Sequence, residues 1–283
     1  MDDYVFFTDT SCDLPGSILA EHDVRILKFE YTFDDGTPNN LSINAFYNAM
    51  RSGKIAKTSG IAPGVYSESF REVLKQGKDI FYLSFSSGLS TSYNSAKIAA
   101  EEFSEEFPER KIEIVDSLCA SLGQGLLLYL LLMKKDKLNL TEMKDYAESI
   151  KLNICHWFTV DDLVYLKRGG RISQTSAVFG KLLGIKPIMH MDDNGKLVCV
   201  GKARGRRAAI KALAEKYGET TDDINNSVVF ISHSDCNEDA SMLAHELNLK
   251  FGVSVKIISH ISPVIGAHCG PGTLAVFYLG RER

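Results

Sequence analysis

From residue 4 to residue 152, short apolar runs alternate with amphipathic segments, and this rhythm leaves few folds open to the chain. Residues 4–8, 24–33, 80–85 and 112–115 have strand character, while 43–51, 66–75, 92–107, 118–133 and 142–152 carry apolar side chains at helical spacing. Such units close into a parallel sheet, because each connecting helix must cover the sheet it leaves. The rhythm changes near residue 153. Residues 186–191 and 196–202 flank Asp192-Asp193-Asn194-Gly195, a strong hairpin signal, and helices over 206–216 and 238–251 accompany strands over 228–232, 253–258 and 273–279. The predicted fold is α/β: an N-terminal parallel α/β sheet domain, residues 1–155, packed on a C-terminal α+β domain, residues 156–283.

At 283 residues the chain can enclose a ligand within a substantial core. Its 32 Lys and Arg against 36 Asp and Glu give a net charge of -4, which provides no general attraction for nucleic acid. The six cysteines form no CxxC pair, and Met1-Asp2-Asp3 does not resemble a secretion signal, so a reduced, cytoplasmic setting is expected. The most apolar stretch, residues 126–133, falls well short of the roughly 20 residues that span a bilayer, and is read as a buried core helix rather than an integral membrane segment. Gly180-Lys181-Leu182-Leu183-Gly184-Ile185-Lys186 has the wrong order for a Walker loop, and Gly123-Gln124-Gly125 lacks the third glycine of a dinucleotide fingerprint. His233-Ser234-Asp235-Cys236 is too little for a metal site, so neither cofactor nor metal is expected.

Hydroxyl side chains crowd the segment from Ser84 to Ser95, between a strand-like run and a helix-like one. A second hydroxyl loop, Lys57-Thr58-Ser59-Gly60, and a Gly-rich turn, Gly266-Ala267-His268-Cys269-Gly270-Pro271-Gly272, are predicted to close over the same point. Hydroxyl donors beside helix-start amides suit a carboxylate, which makes Thr58, Ser59, Ser86, Ser87, Ser90, Thr91 and Ser92 candidates, with Gly266 and His268 from the third segment. The same residues admit hydrolysis. Gly88-Leu89-Ser90-Thr91-Ser92 differs from a nucleophile elbow by Ser92 in place of the second glycine, with Ser90 then the nucleophile and His268 the base. Two basic segments, Leu166-Lys167-Arg168-Gly169-Gly170-Arg171-Ile172-Ser173 and Lys202-Ala203-Arg204-Gly205-Arg206-Arg207, offer a surface for a phosphate or an acidic partner.

Taken together, TDTSCDLP at 8–15, KTSGIAPG at 57–64, SSGLSTSYNSA at 86–96, DSLCASLGQG at 116–125, LKRGGRIS at 166–173, LLGIKPI at 182–188, KARGR at 202–206 and PVIGAHCGPGTLAVFYLG at 263–280 resemble the DegV family over essentially the whole chain. The resemblance implies a bacterial fatty-acid-binding protein, a lipid carrier and not an enzyme, which presents a long-chain fatty acid to a separate fatty acid kinase that phosphorylates its carboxylate. It implies that Thr58, Ser90 and His268 hold the carboxylate, and that Arg171 and Arg204 engage the kinase. The chain departs from the usual family pattern at Cys12, Gly60, Ile61, Thr91 and Ser92, which bears on pocket shape and acyl preference.

A buried fatty acid gains about 0.8 kcal/mol per methylene, or roughly 12 kcal/mol for some 15 groups before ordering costs. A hydrogen bond to its charged head nets only about 1.5 to 3 kcal/mol, so the tail supplies affinity and the head fixes register. The ligand tunnel is expected between or within the two domains, with residues 122–133 supplying apolar wall. Hydroxyls without a fixed positive charge are expected to hold the carboxylate, leaving its oxygens open to an incoming phosphoryl group.

Overall fold

The computed structural model describes residues 3–172, 184–221, 228–281 and 283. Ser173, the stretch from Gly180 through Leu183, and with it the start of the LLGIKPI segment, lie outside these described residues. The chain begins with β1 (Tyr4–Asp9), a 3-10 turn, α1 (Gly16–Glu21), β2 (Arg25–Leu27), β3 (Glu30–Phe33), α2 (Ile43–Arg51), β4 (Ala56–Ser59) and α3 (Pro63–Leu74). It continues through β5 (Asp79–Ser84), α4 (Ser92–Glu101), α5 (Phe103–Glu106), β6 (Ile112–Asp116), α6 (Leu122–Leu132) and α7 (Leu140–Ile150). Then follow β7 (Ile154–Thr159), α8 (Val164–Arg168), β8 (Ile185–Met191), β9 (Leu197–Arg204) and α9 (Arg206–Thr220). The described chain ends with β10 (Val229–His233), α10 (Asn237–Phe251), β11 (Val255–His260), α11 (Pro263–Cys269) and β12 (Leu274–Leu279).

The first sheet has the order β2-β1-β5-β6 and is parallel throughout, as the strand–helix alternation requires. The second has the order β11-β10-β12-β7-β8-β9, with β10 and β11 parallel and the other pairs antiparallel. β8 and β9 form the hairpin that Asp192-Asp193-Asn194-Gly195 predicts. Local chemistry starts the helices: Ser42 caps α2 at the Ala45 amide, Asn139 and Glu142 form a capping box on α7, and Pro63 and Pro263 open α3 and α11. Helix α6 is apolar around nearly its whole circumference, so both sheets can pack on it; its leucines share one core with Phe6 and Phe81 of the first sheet and Phe158 and Phe277 of the second.

Several expectations need correction. Lys57-Thr58-Ser59 is not a loop but part of β4, paired antiparallel with β3 so that Thr58 lies opposite Tyr31. Gly266-Ala267-His268 is helical, because Pro263 nucleates α11 and the chain turns only at Gly270. Residues 92–107 break into α4 and α5, and α6 starts at Leu122 because Leu118 and Ser121 both take positive φ. Strand β7 escaped the alternation signal: all six of its residues are buried, and its polar His156 and Thr159 interrupt the apolar run.

The two sheets are also joined at the hairpin tip. Ser86, in the loop after β5, donates to the Gly195 carbonyl at 2.8 Å, and Gly195 has φ +66°. A Cβ there would lie 2.1 Å from Ser86 Oγ. Gly195→Ala should therefore destabilise the protein by about 1–3 kcal/mol, read as a lower urea midpoint; an unchanged midpoint would mean that the tip does not dock on this loop in solution.

Candidate functional site

A cavity of about 400 Å³ lies between the loops of the first sheet and one face of the second. The chain leaves the β1–β5 pair in opposite directions, toward β2 on one side and β6 on the other, and crevices form outside the carboxyl ends of such strands. The floor follows from register. Phe158 lies opposite Ala275, which lies opposite Ser232, and two residues along each strand His156 lies opposite Phe277. Side chains two apart share a face, and Met191 and Leu197 extend that face across β8 and β9. The roof comes from the loops after β5 and β6, the end of β4, and α11. No α6 side chain lines this space, which corrects the expected wall: α6 fills the core between the sheets instead.

Thr58, Ser59, Ser90, Thr91, Arg171 and His268 all border the cavity. Thr58 Oγ1 lies 2.7 Å from His268 Nε2. Ser90 donates to Ser92 Oγ at 3.1 Å and accepts the Ser92 amide at 3.2 Å. Ser92 is fully buried and stands behind the lining, where its Oγ also accepts the Ile61 amide at 3.2 Å. It thus fastens the segment after β4 to the loop after β5. At Gly60 a Cβ would lie 3.2 Å from Thr91 Oγ1, so the small residue permits this close approach. Gly266 packs beneath Tyr47, and Arg204 is exposed at the end of β9; neither lines the cavity.

Burial, reinforced by the nearby Arg171 guanidinium, pushes the His268 imidazole down to about 4, so it is neutral near pH 7. Its Nδ1 is buried without a partner, and the Cβ position of Gly169 is 2.4 Å from it, so a larger residue there would displace the ring. A proton on Nε2 avoids burying an unpaired N–H at Nδ1 and donates to Thr58 Oγ1, which leaves the Thr58 hydroxyl hydrogen for a ligand. Arg171 is braced by the Leu89 carbonyl at 3.2 Å and by the Gly169 carbonyl, and burial pushes its pKa down. A fixed positive charge therefore stands beside the hydroxyls, contrary to the expectation of an uncharged anchor.

The apolar floor and four polar groups set into the inner wall, Ser121, His156, Ser232 and Thr273, were not assigned from sequence. Ser121 falls within the DSLCASLGQG motif and Thr273 within PVIGAHCGPGTLAVFYLG; His156 and Ser232 carry no local signal, since strand pairing brings them to this face. Among the described residues, no group of three or more His, Cys, Asp or Glu could hold a metal, and no helix is long and apolar enough to cross a membrane.

The family model described as an uncharacterised protein of the DegV family matches residues 5–281. A DegV domain-containing protein of Clostridium perfringens is 44% identical over 289 residues, covering 100% of this chain and 99% of its own. Among solved structures, a fatty acid binding DegV family protein from Streptococcus agalactiae matches with a TM-score of 0.87 at 28% identity, covering 100% of each chain. DegV from Bacillus subtilis, described as a fatty acid binding protein, matches with a TM-score of 0.84 at 25% identity, covering 99% of this chain and 100% of its own. With sequence and fold in agreement over the full length, this chain belongs to the DegV family.

Proposed function

We propose that this protein is a non-enzymatic, cytoplasmic carrier that binds a long-chain fatty acid and presents its carboxylate to a separate fatty acid kinase. One observation carries the reading: Thr58, Ser90, His268 and Arg171 gather at the accessible rim of a cavity whose floor is largely aromatic and aliphatic. That arrangement suits an amphiphile with an anionic head and an alkyl tail. In this reading Thr58 and Ser90 donate to the carboxylate, His268 holds the Thr58 hydroxyl in its donating orientation, and Arg171 neutralises the head. Exposed Arg204, which is not part of the lining, is the candidate for kinase docking, and Arg171 at the rim would stand between head and partner. The chain so used divides near residue 155, with the carboxylate-binding loops on 1–155 and the closing sheet on 156–283.

The hydrolytic alternative draws less support from the geometry. Ser90 pairs with Ser92, while His268 Nε2 is engaged by Thr58, so nucleophile and base are not hydrogen-bonded to each other. Nor is Ser90 among the non-glycine residues with positive φ, as the strained turn of a nucleophile elbow would favour. A fluorophosphonate that labels Ser90, together with ester turnover by the purified chain, would reverse this preference.

Thr58→Ala and Ser90→Ala should each weaken fatty-acid binding by about 10- to 150-fold, the equivalent of about 1.5–3 kcal/mol for a hydrogen bond to a charged group. The check is competition against a fluorescent fatty acid, and unchanged affinity in both variants would remove the anchor. His268 supplies a second reading. Its folded value of about 4 lies below the ordinary value of about 6.5, so it contributes stability above that ordinary value that is lost as pH falls toward 4. A carboxylate bound beside it favours the imidazolium, and NMR titration should show the His268 pKa rising on addition of fatty acid; no movement would place the head elsewhere.

A further inference from the structure

The inner wall of the cavity differs chemically from its rim. Ser232, Thr273, His156 and Ser121 are 0%, 2%, 2% and 5% exposed, and they lie among Phe158, Ala275 and Phe277. Each has already committed its hydrogen to the protein. Thr273 donates to the Cys269 and Gly270 carbonyls, both at 3.0 Å. His156 Nδ1 lies 2.8 Å from the Ile154 carbonyl and must carry the proton, which leaves Nε2 an acceptor for the Ala120 amide at 3.3 Å. Ser121 donates to Asp13 Oδ2 at 2.5 Å, and the other oxygen of that carboxylate accepts the Ser262 amide at 3.0 Å. The Ser232 hydroxyl is 3.1 Å from Ser121 Oγ; with the Ser121 hydrogen spent on Asp13, Ser232 is the donor of that pair.

The result is a wall in which the Ser121, Ser232 and Thr273 oxygens keep lone pairs but no free hydrogens, while both ring nitrogens of His156 are engaged. A purely hydrocarbon tail would leave those acceptors unmatched, and so would a keto or ester oxygen; a hydroxyl can donate to them. Two of the residues that build the wall, Asp13 and Ser121, take φ +53°, an unfavourable backbone region that persists where surrounding contacts enforce it. The rim lacks this commitment. Ser90 need only release a neutral hydroxyl at 3.1 Å to turn toward a ligand, whereas Ser121 would have to abandon a carboxylate at 2.5 Å.

We propose that the Ser232–Ser121–Asp13 chain, with Thr273 beside it, forms a second polar subsite inside the cavity that accepts a hydrogen bond from a hydroxyl carried on the acyl chain, so that the preferred ligand class is a hydroxylated fatty acid. This inference rests on the fatty-acid reading and specifies its ligand. The position of the hydroxyl along the chain is an outcome of the test.

The experiment compares stearic acid with a positional series of monohydroxystearic acids, each displacing a fluorescent fatty acid from the full chain, at a pH where Asp13, which burial pushes up to about 7, is ionised. At least one isomer should bind about 3- to 10-fold tighter than stearic acid, the range for a net neutral hydrogen bond. Ser232→Ala should abolish that preference, bringing the favoured isomer and stearic acid to equal affinity. No preferred isomer in the unaltered chain, or an equal preference in Ser232→Ala, overturns the subsite and leaves the carrier intact. Failure of every acid to bind overturns both. The comparison within the unaltered chain decides the question even where the variant does not fold.

Discussion

The hydroxyl-rich loop after β5 takes its position from one buried carboxylate, Asp9 at the C-terminal end of β1. It accepts the Ser11 amide at 3.1 Å, the Phe85 amide at 3.1 Å and the Tyr82 hydroxyl at 2.9 Å, with the Ser11 hydroxyl closer still. Burial pushes its pKa up and these donors pull it back. A buried carboxylate without partners would cost several kcal/mol, so the donors must be present together, and the turn after β1 and the loop after β5 are held relative to each other. Gln124 adds α6 to the arrangement by donating to Thr8 at 3.1 Å. The segment that carries Ser86 through Ser92 thus leaves β5 from a fixed point.

Opposite that point stands a sheet built by different rules. Antiparallel pairing of β7, β8, β10 and β12 creates a continuous face, and α6 covers only part of it. The uncovered part becomes the cavity floor because the loops after β5 and β6 and helix α11 bridge over it instead of filling it. The hairpin tip at Gly195 and the loop at Ser86 hold the two sheets at this spacing. A cavity of this kind has two distinct ends: an accessible rim of adaptable hydroxyls with a neutral imidazole and a guanidinium, and a buried wall whose hydrogens are spent. Such an arrangement suits the proposed ligand, an amphiphile oriented by its head and distinguished by what its tail carries.

Much of the fold was legible, for a reason seen in particular segments. Residues 43–51 and 80–85 announce themselves because one face or the whole run is apolar, and the β8–β9 hairpin because Asn194-Gly195 favours the turn. β7 was not legible: a strand buried on both faces has no alternation to display, and His156 looks polar until its lone pair is matched to the Ala120 amide. Thr58 and His268 stood out by residue type and motif, although the strand and the helix that carry them did not. That they touch, across 210 positions of sequence, is a property of the β3–β4 ribbon packing beneath α11.

The sequence by itself determined much of the strand and helix order, β4, β7 and α11 excepted, together with the two contrasting sheet types and the presence of clustered hydroxyls, since these depend on local periodicity and residue chemistry. Tertiary structure alone decided that Arg171 adds charge to the rim, that α6 is core and not wall, and that Ser121, Ser232 and Thr273 share one buried surface with their hydrogens already given away. Those are facts of register and proton commitment. They arise only when distant backbones meet, because a hydroxyl can donate its single hydrogen to just one principal partner and the fold chooses which.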